Sequence, residues 1–265
     1  MKGEIGTCKL CLRDAQSLQV SHLVPSAVYA LCRAKNAPNP NPFLVTYEFS
    51  MQTSRQVQVP LLCFQCEQLL RGKGEDWMMS ELAQYGGPFR FYDKLLAAPK
   101  LHDEPDFVSY VLEQVPSIRI ADLVHFFMGV FWKSSVHAWR KGRSDPWIDL
   151  GEYSESIRSF LLGETAFPEN VALSVTVLPQ PVALISFHQP YETIGPTGEK
   201  TCHFYVCGFN TTLWMGPNIT IEIAATSIHR PPHYLMVVDN RDAITQKFRD
   251  VFGKSTARKH ERKKR

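Results

Sequence analysis

A chain of 265 residues with 44% hydrophobic and 21% charged residues is long enough to bury a full core, and its composition excludes intrinsic disorder and a coiled coil. The formal net charge of +3 is unevenly placed: from Lys254 onward seven basic residues stand against Glu261 alone, a balance of +6, which leaves the preceding body at −3. Met1–Gly6 offers no apolar signal-like run, and the greasiest stretch, Val124–Trp132, is interrupted by His125 and ended by Lys133. Secretion and membrane spanning are therefore not expected, and a reducing cytoplasm suits Cys32, Cys202 and Cys207 as free thiols.

Two cysteine pairs, Cys8-Lys9-Leu10-Cys11 and Cys63-Phe64-Gln65-Cys66, open the chain's chemistry. A two-residue gap lets both sulfurs of a knuckle face one tetrahedral ion, and a second pair completes the four thiolates of a closed, structural zinc site. Reduced core cysteines and a redox pair are the other readings. Between the pairs, the spacing predicts a helix over Ser26–Ala34, stopped by Pro38, Pro40 and Pro42. Alternation in Val45–Phe49 and in Val57–Val59 predicts a hairpin leading into the second pair, and a helix over Cys66–Leu70 puts Glu67 in its first turn. Residues 1–72 are thus expected to form a zinc-stabilised finger module.

Residues 73–165 read as a helical section. Ile120, Leu123, Val124, Phe127, Val130, Phe131 and Val136 follow three-and-four spacing in a helix between Ala121 and Arg140. Leu150, Tyr153, Ile157, Phe160 and Leu161 form a second stripe, which Gly163 is placed to end. Residues 166–240 read as an antiparallel β section: Val171, Leu173, Val175 and Val177 alternate, as do Ile219, Ile221 and Ile223, with turns at Pro196–Glu199 and Gly216–Asn218. In residues 241–265, Ile244, Phe248, Val251 and Phe252 suggest a short amphipathic helix before the basic tail. Such a tail neutralises phosphates in a salt-dependent way or is simply solvated. The fold class is α+β. Walker loop, dinucleotide glycine fingerprint, Gly-x-Ser-x-Gly elbow and His-Glu-x-x-His are all missing from the sequence.

The order of knuckle, strand ending in His22-Leu23-Val24-Pro25, hairpin, and second knuckle opening a helix resembles a treble-clef zinc finger. Motif by motif it also resembles the ββα-metal core of the HNH endonucleases. Ser21-His22-Leu23-Val24-Pro25 and Leu61-Leu62-Cys63-Phe64-Gln65-Cys66-Glu67 are similar to a group of HNH-related bacterial proteins, some of them suspected of antiviral defence against phage. The resemblance covers the first third of the chain. It implies a metal-dependent endonuclease acting on DNA, with RNA open as substrate, structural Zn2+ on the four cysteines, His22 as general base, and Mg2+ or Mn2+ held by Glu67. The family pattern commonly has an Asp before that His, where this chain has Ser21. Glu67 stands where His or Asn is usual and would restore a negative charge. Glu75, eight residues further, is the second candidate carboxylate. Bland roles stand beside these: His22 as a hydrogen-bonded structural residue, Glu67 as a charge favouring its helix N-terminus, Glu75 as a solvated side chain. On that reading the chain is a noncatalytic zinc module that binds nucleic acid or a protein partner. The remaining two thirds would recognise a partner or form a homo-oligomer.

Overall fold

The structure is a computed structural model that describes residues 4–34, 38–45, 50–139, 144–180, 185–195, 198–217, 219–239 and six separate positions between 242 and 253. The apolar positions Ile244, Phe248, Val251 and Phe252 of the predicted C-terminal helix, the basic tail, and residues 46–49 of a predicted strand lie outside these. The fold is mixed α+β, with a three-stranded, a two-stranded and a seven-stranded sheet.

In the finger, β1 (Ile5–Gly6) pairs with β2 (Gln16–His22), and α1 (Ser26–Leu31) follows, ending short of the predicted Ala34. A separate hairpin comes next, β3 (Phe43–Val45) with β4 (Ser50–Gln52). β5 (Gln58–Cys63) then returns antiparallel to β2, setting Leu18 opposite Cys63 and His22 opposite Gln58. The predicted pairing of Val57–Val59 with the preceding strand is therefore corrected: its partner is β2. Pro60 lies inside β5 because the register shifts between Gln19 and Val20, opposite Leu62 and Pro60. A bulge is where a residue without an N–H fits within a ladder.

α2 (Phe64–Leu70) opens directly after Cys63, passes through a π-helical turn (Arg71–Glu75) and continues as α3 (Asp76–Glu81). The backbone stays right-handed helical through both joins, with φ −62°, ψ −41° at Leu70 and φ −62°, ψ −47° at Glu75. Residues 64–81 are one rod, longer than the helix predicted over Cys66–Leu70. Gly74 lets this rod cross the core helix α5 (Ile120–Ser135) closely: a Cβ there would meet Asp122 O at 2.8 Å and Phe126 N at 2.9 Å.

The middle section is not wholly helical. Between α4 (Arg90–Leu96) and α5 run β6 (Lys100–Asp103) and β7 (Phe107–Val111). Phe107-Val108-Ser109-Tyr110-Val111 is rich in β-branched and aromatic residues and pairs with β12 (Tyr234–Val238). After α6 (Tyr153–Leu162) come β8 (Val171–Val177), β9 (Tyr191–Ile194), β10 (Lys200–Val206), β11 (Phe209–Met215) and α7 (Ile221–Ala225). The seven-stranded order is β6-β7-β12-β8-β11-β10-β9. Its β8-β11-β10-β9 half is the antiparallel run expected, but β12 lies parallel to β8, so the sheet is mixed. The Ile219, Ile221, Ile223 alternation is not a strand. Thr220 caps α7 by accepting the Ile223 N–H, and Ile221 is 85% exposed.

α5 is the centre of the molecule. Residues Asp122–Ser134 are all buried, as befits a helix covered on every side. Phe127 packs against Phe204 and Phe209, with ring centroids 6.4 and 5.9 Å away. α6 ends as predicted at Gly163, in the left-handed region at φ 79°, where Glu164 N–H reaches Ser159 O and Gly163 N–H reaches Phe160 O. No helix among the described residues is long and apolar enough to cross a membrane.

Candidate metal centre and the charged cluster beside it

The first knuckle turns tightly, with Leu12 N–H on Cys8 O, Cys8 N–H on Arg13 O, and Leu12 in the left-handed region at φ 58°. Lys9 N–H bonds Leu61 O of β5 at 3.2 Å, and Arg158 of α6 donates to Leu10 O at 2.6 Å. These bonds bring the knuckle against the point where β5 becomes α2, carrying Cys63 at the join and Cys66 in the first turn. The four sulfurs of Cys8, Cys11, Cys63 and Cys66 lie within 4.8 Å of one another.

The cluster can hold a metal ion such as zinc. Zinc–sulfur bonds of about 2.3 Å put tetrahedral sulfurs about 3.8 Å apart, and Cys11 Sγ and Cys63 Sγ are separated by 3.8 Å. The Cys63 amide donates to Cys8 Sγ at 3.3 Å and Arg13 Nε to Cys11 Sγ at 3.4 Å, both favouring thiolate. Four thiols this close do not all ionise without a cation. A hydrogen bond from Cys66 holds Cys8 down at about 4, and the same bond pushes Cys66 up. A divalent ion relieves that competition by replacing the protons.

Beside this centre the strand end at Ser21-His22 meets the helical rod. Ser21, 1% exposed, donates its hydroxyl to Glu67 Oε1. Burial raises the Glu67 carboxyl above the usual range, opposed by the Ser21 bond and by the charge of Lys133. Lys133 of α5 donates to Glu75 Oε1 at 2.9 Å and to His22 O at 3.0 Å, its side chain only 4% exposed. In an uninterrupted α-helix the eight residues from Glu67 to Glu75 would rotate the second carboxylate by about 80°. The π turn takes up an extra residue and brings it back towards the first.

His22, Glu67 and Glu75, predicted as one site, thus share a neighbourhood. The strand nevertheless presents Ser21, rather than His22, to Glu67. The half-buried His22 imidazole makes no hydrogen bond to a described residue. Among the described residues the four cysteines are the only group of three or more His, Cys, Asp or Glu side chains gathered closely enough to hold an ion. The sequence reading missed Lys133, whose signal was a charge set inside the apolar run of α5. No protein-family model, no curated protein and no solved structure matches this chain.

Proposed function

We propose that the chain is an HNH-like endonuclease, its residues 1–72 a treble-clef finger braced by zinc and its substrate DNA. One observation carries this reading: next to the cysteine cluster, the adjacent residues Ser21 and His22 are tied to both carboxylates, Ser21 by its hydroxyl to Glu67 and the His22 carbonyl through Lys133 to Glu75. These bonds hold the strand end that bears His22 rigidly against two carboxylates. An imidazole that is half-open and bonded to no described residue is free to take a proton from water. A saturated four-thiolate zinc keeps no position for substrate and would hold the fold. Glu67 and Glu75 are the carboxylates to which a magnesium or manganese ion would bind, as the resemblance implies.

A second reading has its own support. Glu67 is already engaged by Ser21 and Glu75 is neutralised by Lys133, so a cation there has to displace one of them. If neither yields, the finger is a noncatalytic module for nucleic acid or a protein partner. The test is cleavage of supercoiled plasmid, linear duplex and single-stranded RNA with added magnesium or manganese, for the wild type and a folded, zinc-loaded His22→Ala variant. The nuclease reading expects cation-dependent cutting that falls about 10²- to 10⁴-fold in the variant. Cutting unchanged by the substitution removes His22 from the role, and no cutting by either protein favours the binding module.

A further inference from the structure

Cys32 and Cys207 lie outside the metal cluster and come together from distant parts of the chain. Cys32 caps the C-terminus of α1 and is half-buried; Cys207 is completely buried in the turn between β10 and β11. Contacts from two directions bring their segments together. Tyr29 and Cys32 are three residues apart and share a side of α1, and the Tyr29 ring packs edge-on against Phe187 at 5.1 Å. Phe187 is bridged to Val206, and the Cys207 N–H bonds Ser186 O at 2.8 Å. From the other direction, residues 83–85 touch both: Ala83 N–H bonds Cys207 O at 3.0 Å and Tyr85 N–H bonds Leu31 O at 3.4 Å. Cys32 is the foremost influence on the Cys207 thiol and pushes it up, so the two sulfurs are close enough to interact.

The backbone supports a purpose for Cys207. Val206 and Phe209 pair across a two-residue turn, with Cys207 at φ 41° and Gly208 at φ 93°. Such turns favour Asn-Gly, Asp-Gly or Gly-Gly, and a left-handed backbone is unfavourable for cysteine. The surroundings hold it there. Gly208 packs on Phe89, with a Cβ position 2.7 Å from the ring, its carbonyl accepts the Leu178 N–H at 2.8 Å, and its own N–H reaches the Tyr205 hydroxyl at 3.3 Å. The turn is a rigid mount for Cys207.

We propose that Cys32 and Cys207 are a redox modification site, closed by a hydroperoxide into a disulfide that staples the finger to the seven-stranded sheet. The half-exposed Cys32 is the sulfur an oxidant reaches first. Its thiolate attacks the peroxide, the O–O bond breaks, Cys32 becomes a sulfenic acid, and water or an alcohol leaves. The Cys207 sulfur then attacks the Cys32 sulfur. The S–S bond forms, the S–O bond breaks, and the hydroxide departs as water with the Cys207 proton. Two thiols and one hydroperoxide thereby give one disulfide, and a dithiol reductant reverses it. Cys32 and then burial push the Cys207 thiol up, which leaves Cys32 as the sulfur that meets the oxidant.

The test uses full-length, zinc-loaded protein treated with hydrogen peroxide at one equivalent, followed by alkylation, non-reducing peptide mapping and a zinc-release assay. The expected result is a Cys32–Cys207 linked peptide, a fall of two in free thiols per chain, retained zinc, and reversal by dithiothreitol. Cys32→Ala, a change at a half-exposed position, should abolish the linked peptide and leave Cys207 reduced. Should Cys32→Ala not fold, the wild-type map decides alone. Peroxide that ejects zinc and links the finger cysteines instead, or carries Cys32 to sulfinic acid with Cys207 still free, overturns the proposal.

Discussion

Around the seven-stranded sheet, α5 buries Phe127 and Phe131 against Phe204 and Phe209, whereas the three-stranded finger closes on four sulfurs and a chain of charged groups. The first region is stabilised in proportion to apolar area removed from water. The second gathers four thiols that can hold an ion, and charges that neutralise one another away from solvent. Each region should therefore fail in its own way when disturbed.

The largest effect should come from the metal. Structural zinc contributes an apparent 10–16 kcal/mol, roughly, in isolated finger peptides, so Cys63→Ser or a strong chelator should strip hydrogen-exchange protection from β2, β5 and α2. β8, β10 and β11 should keep theirs, and equal loss throughout would erase the distinction between the regions. Next comes Phe127→Ala, which opens a cavity at the centre of the sheet's core and should lower stability by about 3–5 kcal/mol in urea titration. Zinc affinity should be unchanged, and a large fall in it would show that the two regions do not fail separately. Lys133→Met leaves Glu75 without its cation and should cost about 3 kcal/mol. The double change Lys133→Met with Glu75→Met should recover much of that, whereas additive losses would show that the ion pair is not the cause.

The smallest effect is with pH. His229, stacked on Phe167 at 3.6 Å, is pushed down to about 4 by burial and then by the charge of Arg230, and burial also lowers His125. Both groups bind protons less readily folded than unfolded, so their contribution is present above about 6.5, the ordinary histidine value, and is lost as pH falls towards 4. The melting temperature should drop by a few degrees between pH 7 and pH 5. His229→Phe should lessen that drop, and an undiminished slope in the variant would remove His229 from it.

The cysteine spacing was legible because metal chemistry dictates it locally, and so was the end of α6, because a left-handed residue there demands Gly163. Long-range pairing was not legible. β7 and β12 are separated by more than a hundred residues, and neither carries a mark of the other. The alternation read in the sequence covers only Val57–Val59, and the bulge opposite Gln19 and Val20 explains how Pro60 sits inside β5 beyond it. The alternating isoleucines at 219–223 imitate a strand, yet the Thr220 cap decides for a helix. At the candidate site, His22 and Glu67 were named from the resemblance, and Glu75 from its place eight residues further along. Lys133 stayed hidden because its role depends on α5 crossing the rod at Gly74, and no local pattern encodes that crossing.

The cysteine cluster carries the rest of the account, so its occupant is the measurement to make: metal content of purified protein together with zinc-edge X-ray absorption. One zinc per chain with four sulfur neighbours at about 2.3 Å is the expected result. A chain that purifies folded with no metal, or zinc bound through nitrogen or oxygen in place of sulfur, would contradict it.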